Sequence, residues 1–246
     1  MNYFEHIGKY FLMLKQVFRK PQRIRVFREA LSREIEELGI KSLGIIAFIS
    51  FFIGGVIALQ TALNLSNPLI PKSLIGFAAK RSIILEFAPT FCSIILAGKV
   101  GSYITSSIGT MRVTEQIDAL EVMGINSLNY LVLPKIIATI LFYPFLITLG
   151  MILGIFGGWI AGTLTGIFSG VDYIEGLQTD FDPFLIQYSI IKTLVFAFII
   201  ATVPAYQGYY VKGGSLEVGK ASTQSVVWTI VIIVICNYFL TQMLLT

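Results

Sequence analysis

Residues 136–171, "IIATILFYPFLITLGMILGIFGGWIAGTLTGIFSGV", form a run of 36 positions without one charged side chain. As a single helix the run would extend about 54 Å, against a bilayer hydrocarbon core of about 30 Å. Read as two short spans joined by a tight turn, it would give a different fold. The charges on either side decide between the two, because loops rich in Lys and Arg stay on the cytoplasmic side. Residues 172–182 carry Asp172, Glu175, Asp180 and Asp182 and no Lys or Arg, whereas residues 211–220 carry Lys212 and Lys220 against Glu217. One span puts the basic N-terminus, the 99–135 segment and the 211–220 loop inside, with the acidic loop outside. Two spans would exchange the last two loops and reverse the bias. The run therefore reads as one long helix.

The rest of the chain suits the same environment. Of 246 residues, 55% are hydrophobic and 13% charged, against about 25% charged in an ordinary soluble domain. Mean hydropathy is +0.80, and several stretches reach the roughly 18 apolar residues that mark a membrane span. Further spans are predicted at 42–65, about 82–98 (interrupted by Glu86 and Pro89), about 189–207 and about 226–245. The expected fold is thus an all-α integral membrane protein with five transmembrane helices, its N-terminus cytoplasmic and its C-terminus outside. Asn64, Asn67, Pro68 and Pro71 mark a turn after the first span. Lys72, Lys80 and Arg81 oppose the charge bias there, and Lys80 and Arg81 are read as snorkelling from a helix end.

Nine of the eighteen Lys and Arg residues lie within the first 41 positions, a clustering that speaks of cytoplasmic placement and anionic headgroups before nucleic acid. Tyr3, Phe4, Ile7, Tyr10, Phe11, Leu14, Val17 and Phe18 recur at helical spacing, with Lys9, Lys15, Arg19 and Lys20 off that stripe. This pattern predicts an amphipathic helix lying in the membrane interface, packed on the rest of the protein, or both. It is not a signal peptide, since its apolar residues are periodic and no small-residue cleavage site follows. Pro21 is expected to break the helix. Residues 1–41 are therefore read as a cytoplasmic, interfacial region and 42–246 as the membrane domain.

Several chemistries are excluded. His6 is the only histidine, which removes most metal and triad arrangements, and Cys92 and Cys236 both lie in apolar runs with no disulfide or metal spacing. The Gly-rich phosphate loop ending in Gly-Lys-Ser/Thr is missing, as is any His/Glu pair at protease spacing. If the chain carries out transport that needs energy, that energy must come from a gradient or another subunit.

One segment breaks the apolar pattern. "GTMRVTEQIDALEVMG", residues 109–124, holds Arg112, Glu115, Asp118 and Glu121. Thr114 is a good N-cap, Glu115 suits the positive end of a helix dipole, and Gly124 is a natural stop. Val113, Ile117 and Leu120 fall on one side. The reading is a two- to three-turn amphipathic helix within about 110–124, on the cytoplasmic side between spans two and three. So short a helix is marginal alone, so its apolar side needs a docking surface, either the protein's own spans or a soluble partner.

Within the long third span glycines recur at Gly150, Gly154, Gly158, Gly162, Gly166 and Gly170. Small residues at this spacing let helix backbones approach closely in lipid. Each step of four advances the stripe by roughly 40° around the axis, which suits a right-handed crossing or different partners along its length. Glu86 and Lys192 are the charges nearest to spans, and an ionisable group at such depth is a functional candidate. Glu86 is the stronger candidate for contact with a ligand or lipid headgroup.

The block "LAGKVGSYITSSIGTMRVTEQIDALEVMGINSLNYLVLPK", residues 96–135, resembles the pattern of the MlaE/YrbE family, the permeases of bacterial lipid-transporting ABC systems associated with MCE proteins. "EFAP" (86–89) is similar to the family's Glu-Leu-Gly-Pro, and "GGSLEVGKASTQSVV" and "NYFLT" resemble its C-terminal motifs. Lys99 and Lys135 stand where the family usually has Arg, and Ser107, Leu85 and Asn237 stand where it usually has charged residues. The Lys replacements keep charge but lose the fork geometry.

The resemblance implies an ABC-exporter-like permease in the bacterial inner membrane, a homodimer carrying ABC ATPase subunits on its cytoplasmic face. The short helix, with Arg112, Thr114, Glu115, Gln116, Ile117, Asp118, Ala119 and Leu120, would be the coupling helix seated in the ATPase. ATP and Mg would bind in that partner, and this chain would hold no cofactor of its own. A periplasmic MCE-domain protein would sit above, and phospholipid would pass between inner and outer membranes through a cavity between protomers, maintaining outer-membrane lipid asymmetry. Two other functions fit the residues alone. An ion-coupled secondary transporter of a lipophilic substrate would need an intramembrane coupling site, for which Glu86 is the candidate. A membrane scaffold would use the glycine stripe for packing alone.

Overall fold

The computed structural model describes residues 3–19, 24–65, 67, 69, 71–180 and 182–245. Lys20, Pro21 and Pro68, and the side chains of Tyr3 and Phe4, lie outside the described residues. Among the described residues every regular element is helical: α1 (Tyr3–Val17), α2 (Ile24–Asn64), α3 (Ser73–Val113), α4 (Gln116–Val122), α5 (Ser127–Thr165), α6 (Gly170–Gln178), α7 (Pro183–Tyr209) and α8 (Ser215–Leu245). Five of them, α2, α3, α5, α7 and α8, are long and apolar enough to cross a membrane.

All five spans run beyond their predicted limits at one end or both. Hydropathy marks the part that suits hydrocarbon, whereas backbone hydrogen bonding continues through polar residues of good helix propensity. In α2 the stretch "IRVFREALSRE" stays helical ahead of the apolar part, passing through a π-helical turn at Ile35–Gly39. The 136–171 run lies in one helix as far as Thr165. At 39 residues, α5 is about 58 Å long, well beyond the hydrocarbon thickness. It stops at Gly166, whose φ of +69° is left-handed and favours glycine. The acidic segment, read from sequence as a loop, instead forms α6, with the Ser169 side chain accepting from the Val171 N–H at its start.

The chain groups into two compact units. The first contains Met1–Lys41, Ile94–Phe142 and Val195–Phe239. Here α1 packs on protein through Met13 and Val17, both fully buried, while Ile7, Phe11 and Phe18 stay exposed. His6 Nδ1 lies 2.8 Å from the Tyr206 hydroxyl, and the Tyr10 hydroxyl lies 2.7 Å from Thr202 Oγ1. Burial pushes the Tyr10 hydroxyl above its usual pKa. Asn129 Nδ2 donates to the carbonyls of Val17 (2.7 Å) and Arg19 (2.5 Å), tying off the end of α1. Lys135 pairs with Glu34 at 2.5 Å under cover of the Tyr103 ring. Lys99 donates to the Lys41 carbonyl.

The second unit contains Ser42–Ser93, Tyr143–Leu194 and Leu240–Thr246. Its core joins Ile57, Ala58, Ala62, Ile75, Ala79, Ile83, Phe168 and Tyr173. Helices α2 and α5 cross almost backbone to backbone: a methyl group at Gly54 would strike the Gly154 carbonyl, and one at Gly157 the Phe51 carbonyl. The glycine stripe serves several partners in turn. Gly150 and Gly154 face Ser50 and Ile83, Gly158 makes room for the Tyr173 hydroxyl, and Gly162 for the Phe168 ring. Gly166 and Gly170 leave the seam, the former ending α5 and the latter opening α6. Gly157, off the step of four, makes a tighter contact than the stripe predicted.

Helix α6 lies across the start of α3, where Gly76 and Gly176 admit its backbone. Lys80 is buried, and its ammonium donates to the carbonyls of Leu177 (3.0 Å) and Thr179 (2.7 Å) at the end of α6. A helix C-terminus is a natural seat for a cation, so Lys80 is held by protein and does not snorkel. Burial pushes the Tyr173 hydroxyl above the usual phenol range.

Candidate functional site

Two polar regions stand out, one in each unit. The first surrounds α4. Thr114 does not cap it: its hydroxyl and its N–H both bond back to the Thr110 carbonyl, at 2.8 and 3.0 Å, and so close α3. Back-bonding of this kind competes with capping. The cap position falls to Glu115, left-handed at φ 59°, with no side-chain cap bond. A non-glycine residue there costs roughly 1–2 kcal/mol, and the sharp reversal it makes separates α3 from α4.

The far end closes as expected. The N–H of Gly124 bonds to the Glu121 carbonyl (2.9 Å) and that of Ile125 to Leu120 (3.0 Å), with Gly124 at φ +74°. This pair of bonds is a Schellman motif. Ile117 is fully buried beneath the helix, and Val113 and Leu120 are partly covered. Arg112 pairs with Asp118 at 2.7 Å, and Gln116 donates to the Thr114 hydroxyl at 3.0 Å. Glu115, Gln116, Asp118, Ala119, Val122 and Met123 are exposed, Val122 at 90% and Met123 at 65%. The outward surface is therefore a compact, mixed apolar and acidic knob.

The second region gathers around Glu86. A π-helical stretch, Ile83–Phe91, carries Glu86 and Pro89 within α3. Within that stretch the Leu85 carbonyl lies 3.5 Å from Lys192 Nζ. The same ammonium pairs with Glu86 Oε1 at 2.7 Å and sits 4.4 Å from the Tyr188 ring centre. Thr90 donates to Glu86 Oε2 at 3.1 Å, and the Tyr188 and Thr241 hydroxyls reach Oε1 at 3.4 and 3.3 Å. The Lys192 side chain has no exposed surface, while that of Glu86 is 37% exposed. A shielded cation thus supports a carboxylate that still has an open side.

Sequence reasoning singled out Glu86 and Lys192 separately and did not join them. It missed Tyr188, Thr90 and Thr241. The pairs Glu86/Thr90 and Tyr188/Lys192 are each four apart on one helix, a spacing that puts both members on one face, so half of the cluster was open to detection. No group of His, Cys, Asp and Glu suited to a metal ion occurs among the described residues. A groove of about 720 Å³ also opens in the first unit, lined by His6, Tyr206, Tyr210, Lys212, Lys220 and Gln224 among others.

Five apolar spans, a polar knob between the second and third, and an ion pair set among span residues describe a multi-pass membrane protein. Residues 31–243 match the family model described as Permease MlaE. A probable ABC transporter permease protein of Rickettsia bellii is 33% identical over 239 residues, covering 97% of this chain and 92% of the relative. The intermembrane phospholipid transport system permease protein MlaE of Haemophilus influenzae is 28% identical over 246 residues, 99% of this chain and 94% of the relative. A probable ABC transporter permease protein of Synechocystis is 30% identical over 242 residues, 98% of this chain and 92% of the relative. The chain belongs to the MlaE permease family.

Proposed function

We propose that this chain is the membrane subunit of an ATP-driven ABC transporter that moves phospholipid between the inner and outer bacterial membranes, and so maintains outer-membrane lipid asymmetry. Family membership over residues 31–243 carries the reading. The Haemophilus relative, an intermembrane phospholipid transport permease, suggests the cargo, and the Rickettsia and Synechocystis relatives, probable ABC transporter permeases, suggest the transporter class.

In this reading the chain catalyses no reaction. ATP and Mg bind to a separate ATPase, and no cofactor resides here. Helix α4 is the coupling helix: Ile117 fastens it to its own protein while Glu115, Asp118, Ala119, Val122 and Met123 face the ATPase. The N-terminus and the α4 end then lie in the cytoplasm and α6 and the C-terminus in the periplasm, beside an MCE-domain protein. A second copy completes the permease. Helix α8 supports that, because only 11% of its apolar window is buried, against 39–56% for the other four spans. ATP-driven closure would push α4, and with it α3 and α5, to reshape a lipid cavity between protomers. Glu86, steadied by Lys192, Tyr188, Thr90 and Thr241, is the polar group placed to meet a headgroup there. Its pairing with Lys192 also counts against Glu86 as the proton carrier of a stand-alone secondary transporter.

Affinity purification of the tagged chain from its native membranes tests the assignment. An ABC ATPase and an MCE-domain protein should come with it. Recovery of the chain alone, from membranes where both are expressed, would contradict the reading.

A further inference from the structure

The last turn of α4 holds a residue that its own helix disfavours. Glu121 occupies the last turn, where the negative end of the helix dipole opposes a carboxylate. Its Oε1 accepts from the Tyr209 hydroxyl at 2.8 Å and from Ser127 Oγ at 2.9 Å. Those two hydroxyl oxygens are themselves 2.9 Å apart. Two hydroxyl hydrogens therefore serve three close contacts, and the carboxylate is the acceptor both can share. Tyr209 and Ser127 are both buried. Tyr209 is the last residue of α7 and Ser127 the first of α5.

The other end of the polar segment reaches the same tyrosine. Arg112 lies 5.9 Å from the Tyr209 ring centre while pairing with Asp118. Between these two holds, Ile117 and its partly buried neighbours seat α4 by apolar contact. An apolar contact of that kind has no direction and allows sliding. A charged hydrogen bond is shorter, stronger and directional.

We propose that Glu121, Tyr209 and Ser127 form a joint that ties α4 to the ends of α7 and α5, and that Glu121 and Tyr209 are positioning residues for transmitting ATPase motion into the spans. The proposal rests on α4 being the ATPase contact. Without the joint, α4 still presents its knob to the ATPase but slips over the Ile117 contact when pushed. Helix α7 also carries Tyr188 and Lys192, so motion delivered at Tyr209 enters the span that holds the partner of Glu86.

The test uses the complex of permease, ATPase and MCE protein reconstituted in phospholipid vesicles, with Tyr209→Phe, Glu121→Ala and Glu121→Gln. Three quantities are measured: ATPase retained on the complex, KM and kcat for ATP hydrolysis, and lipid moved per ATP. Tyr209→Phe and Glu121→Ala should retain the ATPase and an unchanged KM for ATP, while lipid moved per ATP falls about tenfold, the scale of one charged hydrogen bond. Glu121→Gln keeps an acceptor oxygen for both hydroxyls and should restore most of the lost coupling. Unchanged lipid per ATP in both Tyr209→Phe and Glu121→Ala would overturn the joint. Loss of ATPase from both would overturn it as well, by making the three residues mere support for the helix. Absence of ATPase from the unmodified complex would overturn the α4 reading itself.

Discussion

The α4 segment and the Glu86 cluster are both polar islands in an apolar chain, yet opposite means hold them. Helix α4 is defined locally, by a left-handed residue at one end and a Schellman motif at the other, and Glu115 and Asp118 face outward. Glu86 is defined by distant residues: Lys192 lies 106 positions away in sequence and Thr241 155. A polar group facing water has little to gain or lose from a partner, whereas one among apolar spans depends on it. Changes at the Glu86 cluster should therefore strike stability, and changes at the α4 knob should strike partnership.

The largest effect is expected from Lys192→Met. Removing one member of a buried ion pair typically costs about 3–5 kcal/mol, and the open side of Glu86 places this case toward the low end. Thermal unfolding in detergent should show a clear drop, and adding Glu86→Gln should recover much of it. A single variant as stable as the parent would mean that Glu86 finds enough solvation without Lys192. Next comes Asp118→Lys, which breaks the Arg112 pair. An exposed pair is worth about 0–1 kcal/mol, so unfolding should hardly move while ATPase retention is lost. If stability falls as far as it does in Lys192→Met, the contrast between the two regions fails.

The smallest effect is expected from Glu115→Gly. Glycine adopts the left-handed conformation freely, so relief of strain and loss of backbone restraint in the unfolded chain act against each other. A gain of at most about 1 kcal/mol in unfolding free energy is expected. A marked loss would show that the Glu115 side chain supports the turn, in spite of its exposure.

What the sequence disclosed follows the same division. The five spans were legible because burial in hydrocarbon leaves long apolar runs, and the single α5 helix because charge bias rejected a turn within it. Gly124 was legible as a stop, since a glycine after a short polar helix has few other roles. Thr114 misled, because a hydroxyl that could cap the next helix bonds back to Thr110 instead. Helix α6 was overlooked although Ser169 and Asp172 carry a start signal. The Glu86–Lys192 pair and the Glu121–Tyr209 bond join residues on different helices, and no local pattern encodes such pairings. Gly157 was hidden by the regular step of four beside it.

The central claim is that this permease works only when an ATPase drives it. Transfer of fluorescent phospholipid between vesicles and the reconstituted chain, with the MCE protein present and the ATPase added or withheld, tests this most directly. Transfer that requires both the ATPase and hydrolysable ATP is the predicted result. Equal transfer without the ATPase, driven by an imposed proton gradient, would contradict it and make the chain a secondary transporter.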